Sequence, residues 1–363
     1  MRTTLVVLAT ITIPLAAAAH GRAYTQSNAA AGNEVLIFDR ADDGALTPIG
    51  QVPTGGRGSG GGLGSQGALA FAEGGLLLAV NAGSDDVSVL AIGRHGLRLV
   101  GRAPSGGKMP VSVATHGDQV YVLDAGGDGD VSGFRLDESG ALTPTGIHPL
   151  ANRAPGPAQV AFAPSGETLV VTEKATNCID TFAIEDGALG AASCHPAAGQ
   201  TPFGFAFAPT EYDWFGNHYD RLVVSEAFGG APDAATLSTY LVVDGALVTL
   251  APTARTEQTA ACWVALTQGG RFAYSTNTGS GSVTGFRLHA DGALDRLAPD
   301  GRSGDTGGPD SKPIDAASAG GFLYVLDSGT HAISIFRARA DGTLVAAGSV
   351  SGLPVAAAGL LAR

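Results

Sequence analysis

The sequence predicts an all-β protein, a seven-bladed β-propeller made of four-stranded antiparallel blades. The first observation behind this prediction is an internal repeat: an apolar strand that ends in an aromatic residue or leucine recurs seven times, at intervals of 44 to 58 residues. Repeats of about 40–50 residues with four short strands are typical of propeller blades, because one blade cannot bury both faces of its own sheet. The seven landmark residues are Phe38, Leu90, Phe134, Phe182, Tyr240, Phe286 and Phe336.

The second observation is a glycine turn that follows six of these landmark strands. Glycine takes the positive-φ position that a tight hairpin requires, and the chain holds 54 glycines, as many short turns would need. The six turns are Asp43-Gly44, Ser139-Gly140, Asp186-Gly187, Asp244-Gly245, Asp291-Gly292 and Asp341-Gly342.

Each blade after the first contains four apolar strands, which we name A to D from the central channel outward. In blades 2 to 4 the predicted strands are Gln66–Phe71, Leu76–Asn81, Asp86–Ile92 and Leu97–Arg102; Pro110–Ala114, Gln119–Asp124, Asp130–Leu136 and Leu142–Ile147; Pro157–Phe162, Thr168–Glu173, Cys178–Ile184 and Ala188–Cys194. In blades 5 to 7 they are Pro202–Phe207, Arg221–Glu226, Thr236–Val242 and Leu247–Ala251; Ala261–Leu266, Arg271–Asn277, Ser282–Leu288 and Leu294–Ala298; Pro313–Ala317, Phe322–Asp327, Ala332–Arg337 and Leu344–Val350.

The first blade is predicted to combine both ends of the chain. Its strands B to D match Arg22–Asn28, Glu34–Phe38 and Leu46–Val52, but no strand A precedes them. Leu353–Leu360 has the small apolar residues and the proline of the other A strands. We therefore expect this segment to close the ring, which removes an open sheet edge.

The amino-terminal residues read as an export signal. An apolar run ends in Ala17-Ala18-Ala19, which has the small residues of a signal-peptidase cleavage site. The run is shorter than a typical transmembrane helix. We predict a signal peptide over 1–19, a single propeller domain over 20–363, no membrane span after cleavage, and a periplasmic or secreted location.

Composition narrows the class of partner. The net charge of −12 and the pI near 5.0 argue against nucleic acid. The three cysteines have no zinc-site spacing, and the chain has no Gly-x-Ser-x-Gly elbow of serine hydrolases. A small anionic substrate or ligand is the expected partner, and the oligomeric state stays open.

One polar position recurs at the end of strand B in every blade, on the face that also carries the D–A loops. Aspartate and asparagine there could simply form turns, whereas glutamate does so poorly. Glu173 and Glu226 are therefore the candidate catalytic residues, and Asn277 and Asp327 are candidate substrate contacts. The seven residues are Asn28, Asn81, Asp124, Glu173, Glu226, Asn277 and Asp327.

All three lysines fall on that same face. Lys108 and Lys312 precede strands A, and Lys174 follows Glu173. Basic residues around a channel mouth in an acidic protein suggest a site for an anionic ligand, although polar loops hold lysine in any case. Lys174 is the candidate catalytic lysine, and the candidate binding residues of these loops are Lys108, Arg153, Arg255 and Lys312.

Strand A of blade 6 and a loop of blade 7 add further candidates. Cys262 and Trp263 start the strand at the mouth, where Trp263 is a candidate substrate contact; Cys262 is either a nucleophile or core filling. His331, in a mouth-side loop, is a candidate substrate contact and general base. The glycine-rich segment Gly55–Gly64 is long enough to cover the mouth.

Two other features have structural and functional readings. Pro209–Asp220, rich in aromatic residues, is an inserted A–B turn that either packs under the ring or binds a partner. Cys178 and Cys194 stand at equal distances from Asp186, so a hairpin centred there places them opposite each other, within disulfide range. We predict a Cys178–Cys194 disulfide and a free Cys262.

Five segments of the chain resemble bacterial members of the seven-bladed lactonase family, which includes 6-phosphogluconolactonase and 3-carboxymuconate cyclase. They are Gly156–Gly166, Leu169–Asn177, Pro202–Phe207, Ser225–Gly230 and Thr259–Val264. The resemblance implies the seven-bladed fold, an anionic substrate and His, Arg and Glu at the channel mouth without a metal. The phosphogluconolactonase histidine motif at the start of strand A is replaced here by Pro157-Ala158-Gln159 and Pro202-Phe203-Gly204.

Three functions follow as hypotheses. The first is an exported lactonase-like or muconate-cyclase-like enzyme that hydrolyses or isomerises a small carboxylated lactone without a cofactor. The second is a non-catalytic ligand- or protein-binding propeller of the cell envelope. The third is a calcium-dependent lactone hydrolase in which Glu173, Glu226 and Asn277 supply oxygen ligands.

Overall fold

A computed structural model describes residues 21–94, 96–209, 211–212, 218–243, 245–267 and 269–363. The predicted signal peptide, 1–19, lies outside these residues. Within them the strands form seven antiparallel sheets of four or five strands each, arranged as the blades of one closed propeller. The predicted fold class is confirmed.

The strands follow the predicted blade order. Blades 1 to 3 contain β1 (Gly21–Gln26), β2 (Glu34–Arg40) and β3 (Leu46–Pro53); β4 (Leu69–Ala72), β5 (Leu76–Asn81), β6 (Asp86–Gly93) and β7 (Gly96–Pro104); β8 (Pro110–His116), β9 (Gln119–Asp124), β10 (Asp130–Leu136) and β11 (Leu142–Pro149). Blades 4 and 5 contain β12 (Pro157–Phe162), β13 (Thr168–Glu173), β14 (Cys178–Glu185), β15 (Ala188–Leu189) and β16 (Ser193–Pro196); β17 (Pro202–Phe207), β18 (Glu211–Tyr212), β19 (His218–Glu226), β20 (Thr236–Val243) and β21 (Ala246–Arg255). Blades 6 and 7 contain β22 (Ala261–Leu266), β23 (Phe272–Asn277), β24 (Ser282–Leu288), β25 (Leu294–Arg296) and β26 (Gly304–Asp305); β27 (Pro313–Ala319), β28 (Phe322–Asp327), β29 (Ala332–Ala338) and β30 (Leu344–Ser351), and β31 (Ala358–Ala362) returns to blade 1.

The core lies between neighbouring blades. Strand β5 is buried along its whole length, whereas the outer strand β30 is mostly exposed. Leu78 of blade 2 packs in one cluster with Val122 and Phe134 of blade 3. Each sheet therefore covers the face that its neighbour cannot cover alone, as the repeat predicts. The helical turns of the described residues are two short 3₁₀ turns, and none of these residues forms an apolar helix long enough to cross a membrane.

Strand β31 pairs with β1 and closes the first blade, as predicted. Ala362 lies opposite Ala23, and Leu360 lies opposite Thr25. The strand begins at Ala358 rather than at Leu353, because Pro354–Ala357 forms a turn in which the Ala357 N–H donates to the Pro354 carbonyl at 3.0 Å.

The inner strand of blade 2 is shorter than predicted. It starts at Leu69 rather than at Gln66. The Gln66 side chain leaves the sheet plane and hydrogen-bonds across the channel: its Nε2 donates to the Val264 carbonyl at 3.0 Å, and its main-chain N–H donates to the Ala158 carbonyl at 3.0 Å. These bonds to blades 6 and 4 replace pairing within blade 2.

The disulfide Cys178–Cys194 is present, with the two Cα atoms 5.8 Å apart, and Cys262 is free. The register behind the prediction was wrong. Asp186 and Gly187 form a two-residue turn, both at positive φ, so that Ile184 pairs with Leu189 rather than with Ala188. Residues 190–192 interrupt the outer strand, and Cys194 then lies opposite Asp180. The cysteines are diagonal neighbours, still within reach of each other.

The disulfide makes a prediction about alkylation. In protein isolated from an oxidising compartment, we expect alkylation in denaturant without reductant to modify one cysteine, and alkylation after reduction to modify three. Denaturant is needed because Cys262 is buried. Intact-mass spectrometry counts the adducts. Three adducts without reductant would contradict the disulfide, and a Cys262→Ala variant, which should then show none, identifies the free thiol.

The predicted insertion Pro209–Asp220 extends the A–B turn of blade 5. The short strand β18 pairs with the start of β19, Glu211 opposite Tyr219. Trp214 and Phe215 of this insertion lie outside the described residues.

Candidate functional site

The loops at one mouth of the channel are held together by a repeated pair of backbone hydrogen bonds. In blade 7 the Ser328 N–H donates to the Lys312 carbonyl at 3.1 Å, and the Gly329 N–H donates to the Ser311 carbonyl at 2.8 Å. Lys312 and His331 both adopt left-handed backbone conformations, with φ of 48° and 52°. The residues that precede the inner strands of blades 3, 5 and 6 do the same: Met109, Thr201 and Ala260.

A cavity of about 400 Å³ opens at this mouth beside blade 7. We call it the mouth cavity. Its wall is formed by the segment 62–65, by Trp263 and Ile314, and by residues 355–359, which lead into β31. It brings together three of the residues that the sequence analysis selected: Trp263, Lys312 and His331.

Trp263 is 3% exposed, and its indole Nε1 has no hydrogen-bond partner among the described residues. The ring packs edge-on against Phe203, with centroids 4.7 Å apart, which fixes its orientation. A buried N–H without a partner is costly unless a ligand or water accepts from it. Trp263 therefore brings an unpartnered indole N–H to the wall of the mouth cavity.

His331 and Lys312 supply the other polar groups of the cavity. The Nδ1 atom of His331 is buried without a partner in the described structure. Lys312 is exposed, so its ammonium group can meet a charged ligand from solution. An indole donor, an imidazole and an ammonium group around one small cavity are suited to an anionic ligand that also carries an acceptor oxygen.

Lys174 lies directly behind the wall of the mouth cavity. Its Nζ donates to the Gly64 carbonyl at 2.6 Å and lies 4.7 Å from the Phe203 ring centroid. Burial lowers the pKa of the Lys174 ammonium to about 8. The lysine thus connects blade 4 to the glycine-rich segment 55–64, which we call the covering segment, and supports the ring that orients Trp263. Lys174 does not line the cavity itself.

The glycine-rich segment 55–64 reaches the mouth, where residues 62–64 form part of the cavity wall. Asn28 holds it, because its Nδ2 donates to Ser59 Oγ at 2.9 Å and to the Gly61 carbonyl at 2.6 Å. The chain then enters the channel, where Ser65 Oγ donates to the Val111 carbonyl at 2.8 Å and Gln66 bridges blades 4 and 6. This closure was not predicted, since nothing in a glycine-rich run indicates which side chain enters the channel.

Glu173 and Glu226 were predicted to lie at an accessible rim of the channel. The polar residues at the ends of the B strands do not line such a rim. Glu173 and Glu226 are both fully buried, and so are Asn277 and Asp327. Each bonds to the adjacent C strand or to nearby loops: Glu226 accepts from the Gly199 N–H at 2.9 Å and from Thr236, and Asn277 donates to Ser282 and Thr284. Strand B is second from the axis, so its end faces the next strand and the loop before its own blade.

Glu173 shares its burial with a second carboxyl group, Asp180. Burial and the contact with Glu173 raise the pKa of Asp180. Asn152 donates to Glu173 at 2.7 Å, but Glu173 Oε1 has no partner in the described residues. Asp180 therefore keeps its proton to a higher pH than an exposed aspartate does.

The remaining basic candidates lie on outer parts of this face and do not line the mouth cavity. Lys108 pairs with Asp85, with the charged atoms 2.7 Å apart. Arg255 pairs with Glu257 at 3.4 Å. Arg153 is exposed.

Cys262 is buried, and burial raises the pKa of its thiol to about 11, so little of the nucleophilic thiolate exists at neutral pH.

The three expected calcium ligands do not form one set. Glu173, Glu226 and Asn277 belong to three blades, and each is engaged with partners close to its own blade. In the described part of the chain, the group of at least three acidic, histidine or cysteine residues close enough to share a metal is Cys178, Asp180 and Cys194, and its two sulfurs are joined in the disulfide.

Comparison with solved structures places the chain among seven-bladed propellers. A candidate 6-phosphogluconolactonase from Bacteroides uniformis superposes with a TM-score of 0.72 at 18% identity, over 93% of this chain and 99% of the other. A second, from Bacteroides fragilis, gives 0.70 at 18% identity, over 97% and 100%. The periplasmic gluconolactonase of Pseudomonas aeruginosa gives 0.67 at 15% identity, over 93% and 98%.

These identities are low, and the likeness establishes the fold. The predicted resemblance to lactonase-type propellers is confirmed at that level. No protein-family model matches the chain, and a search of curated proteins finds no match.

Proposed function

We propose that the protein is an exported lactonase-like propeller that hydrolyses a small carboxylated lactone in the mouth cavity. The observation that carries the proposal is the unpartnered, buried indole N–H of Trp263 in a cavity that also holds Lys312 and His331. The neighbours described as lactonases share the fold, and one of them is described as periplasmic. The disulfide supports an oxidising compartment.

Three cavity residues have separate roles in the proposed lactone hydrolysis. The Lys312 ammonium pairs with the substrate carboxylate. His331 accepts a proton from a water molecule, whose oxygen attacks the lactone carbonyl carbon. The Trp263 N–H donates to the carbonyl oxygen as negative charge develops on it. The ring C–O bond then breaks, and the proton on His331 passes to the departing alkoxide to give a hydroxy acid.

Lys174 acts as a positioning residue in this proposal. It contacts Gly64 of the covering segment and the Phe203 ring, not the cavity. Glu173 and Glu226 receive no proton-transfer step, because both are buried in hydrogen-bond networks away from the cavity wall.

Variants of the cavity test this function. We expect wild-type protein to turn over carboxylated five- or six-membered lactones. Trp263→Phe keeps a ring against Phe203 but removes the N–H, so kcat should fall by about 100-fold, as for other oxyanion donors. His331→Gln should lower kcat by about 100-fold or more. Lys312→Met should mainly raise KM for carboxylated lactones and not for neutral ones. A pH-stat assay over a lactone panel measures these constants.

Lys108→Met is the matched control, because Lys108 lies on the same face and is already paired with Asp85. Unchanged kinetics are expected for it. A wild-type protein that binds the lactones or their hydroxy acids without turnover would instead support a non-catalytic binding propeller. Loss of activity with a calcium chelator, restored by calcium, would favour the calcium-dependent hydrolase over the metal-free mechanism.

A further inference from the structure

A second cavity, of about 700 Å³, lies at the opposite end of the channel. We call it the underside cavity. Its walls come from the A–B turns of blades 4 to 7, the C–D turn of blade 7 and the end of β31. Because Gln66 bridges the inner strands inside the channel, the underside cavity is a separate site from the mouth cavity.

The underside cavity combines apolar walls with a positive rim. Phe207, Phe272 and Phe322 contribute rings, and the guanidinium groups of the rim are those of Arg271 and Arg339. Arg363 also lines the cavity, but its guanidinium lies over the Phe71 ring of blade 2, 5.1 Å from the centroid. No carboxylate side chain stands among the described residues of its lining. The protein as a whole carries a net charge of −12, so this concentration of positive charge is local.

Further guanidinium groups lie behind the rim. Arg287 stands opposite Phe272 in the sheet register, with its guanidinium carbon 5.3 Å from the ring centroid, and that of Arg271 lies 5.7 Å from the same ring. Arg337 repeats the arrangement on Phe322 at 4.7 Å. Cation–π contacts order the arginines without neutralising them.

The charge of the Asp341 carboxylate interacts with Arg339, but this carboxylate accepts hydrogen bonds within its own turn. It accepts from the Thr343 N–H at 3.0 Å and from the Thr343 hydroxyl at 2.7 Å. Within the described residues, neither Arg271 nor Arg339 forms an ion pair with a carboxylate side chain. Both arginines are exposed, and their guanidinium groups are available to a ligand.

We propose that the underside cavity binds an organic anion with a carboxylate or phosphate head and an apolar body. The exposed guanidinium groups bind the head through charge-assisted hydrogen bonds, for which planar guanidinium is well suited. The phenylalanine and alanine walls bind the body. This site is independent of the lactonase proposal, because it shares no residue with the mouth cavity.

Isothermal titration with three probes of one body tests the proposal: 4-nitrobenzoate, 4-nitrophenyl phosphate and neutral 4-nitrobenzamide. We expect one or both anions to bind and the amide to bind much more weakly. Arg271→Gln and Arg339→Gln should each weaken anion binding about tenfold or more, as expected for loss of a charge-assisted bond. The preferred anion identifies the head group.

Two control variants distinguish binding in the underside cavity from general attraction to surface arginines and from binding in the mouth cavity. Arg98→Gln removes one exposed arginine of an outer strand, outside the cavity lining, and should leave the affinity unchanged. Trp263→Phe should also leave it unchanged. The proposal is overturned if neither anion binds, if the amide binds as well as the anions, or if Arg98→Gln weakens binding as much as the cavity variants. A loss confined to Trp263→Phe would assign the binding to the mouth cavity and would likewise overturn it.

Discussion

Removal of residues 352–363 is expected to abolish the cooperative unfolding of the protein. The deletion takes away β31, which pairs with β1, and leaves the inner edge of blade 1 unpaired. Leu353 and Leu360 are 7% and 5% exposed and pack with Tyr324 of blade 7. Loss of each buried leucine costs about 2–5 kcal/mol, against a total stability of about 5–15 kcal/mol for typical domains.

Chemical denaturation followed by tryptophan fluorescence, together with light scattering, measures this effect. We expect the truncated protein to aggregate or to unfold without a sharp transition, because exposed strand edges pair with other chains. Val355→Ser is the matched control within the same segment, since Val355 is 77% exposed, and should behave as wild type. A truncated protein as soluble and as stable as the full chain would show that the ring does not depend on β31.

The closure and the blade order were predictable because they rest on a signal that is repeated seven times. Each blade presents the same apolar strands and turn residues, so an error in one blade is corrected by the others. The register of Cys178 and Cys194 had no such support. One residue at the Asp186 turn and one at the interruption after Leu189 moved Cys194 opposite Asp180.

The candidate site was predictable only where a loop position fixes a side chain. Lys312 and His331 occupy repeated backbone positions next to the channel, and both line the mouth cavity with Trp263. Gln66 could not be predicted, because its hydrogen bonds join residues nearly 200 positions apart in blade 6. Glu173 and Glu226 were placed at a rim because sequence position indicates the end of a strand but not which neighbour covers it.

The stability of the protein is expected to fall as the pH rises from about 5 to about 8. Burial raises the pKa values of Asp124, Asp315 and Asp327 to about 7. In the unfolded chain an aspartate has a pKa near 3.9. Between these two pKa values the folded protein binds more protons than the unfolded chain. The stabilisation from these three groups is therefore greatest below about pH 4 and decreases as the pH rises to about 7.

Other titrating groups do not cancel this trend. The pKa values of Asp85 and Asp305 are lowered by their hydrogen bonds, so their contribution changes only below about pH 4. The lowered pKa of Lys174 acts above about pH 8. Burial lowers the pKa values of His148 and His195, which opposes the trend below pH 6.5, but both are only partly buried. One pKa unit corresponds to about 1.4 kcal/mol, so the buried aspartates dominate.

The repeat itself supplies the variant that tests this prediction. Asn277 stands in blade 6 where Asp327 stands in blade 7, and it donates to Thr284 as an amide. Ser334 is the equivalent hydroxyl in blade 7, where it donates to Asp327 at 2.6 Å, and a hydroxyl can also accept. Asp327→Asn should therefore fold, increase the free energy of unfolding at pH 8, and reduce the difference between pH 5 and pH 8.

Asp341→Asn is the matched control, because hydrogen bonds to Thr343 lower the pKa of this exposed aspartate. It should change stability equally at pH 5 and pH 8. Urea unfolding measures the free energy of unfolding of each variant relative to wild type at pH 5 and at pH 8. The prediction is contradicted if Asp327→Asn is destabilising at pH 8 or leaves the pH dependence of the wild type intact. Either result would mean that Asp327 is ionised in the folded protein and that its charge is balanced there, rather than being a neutral hydrogen-bonding group.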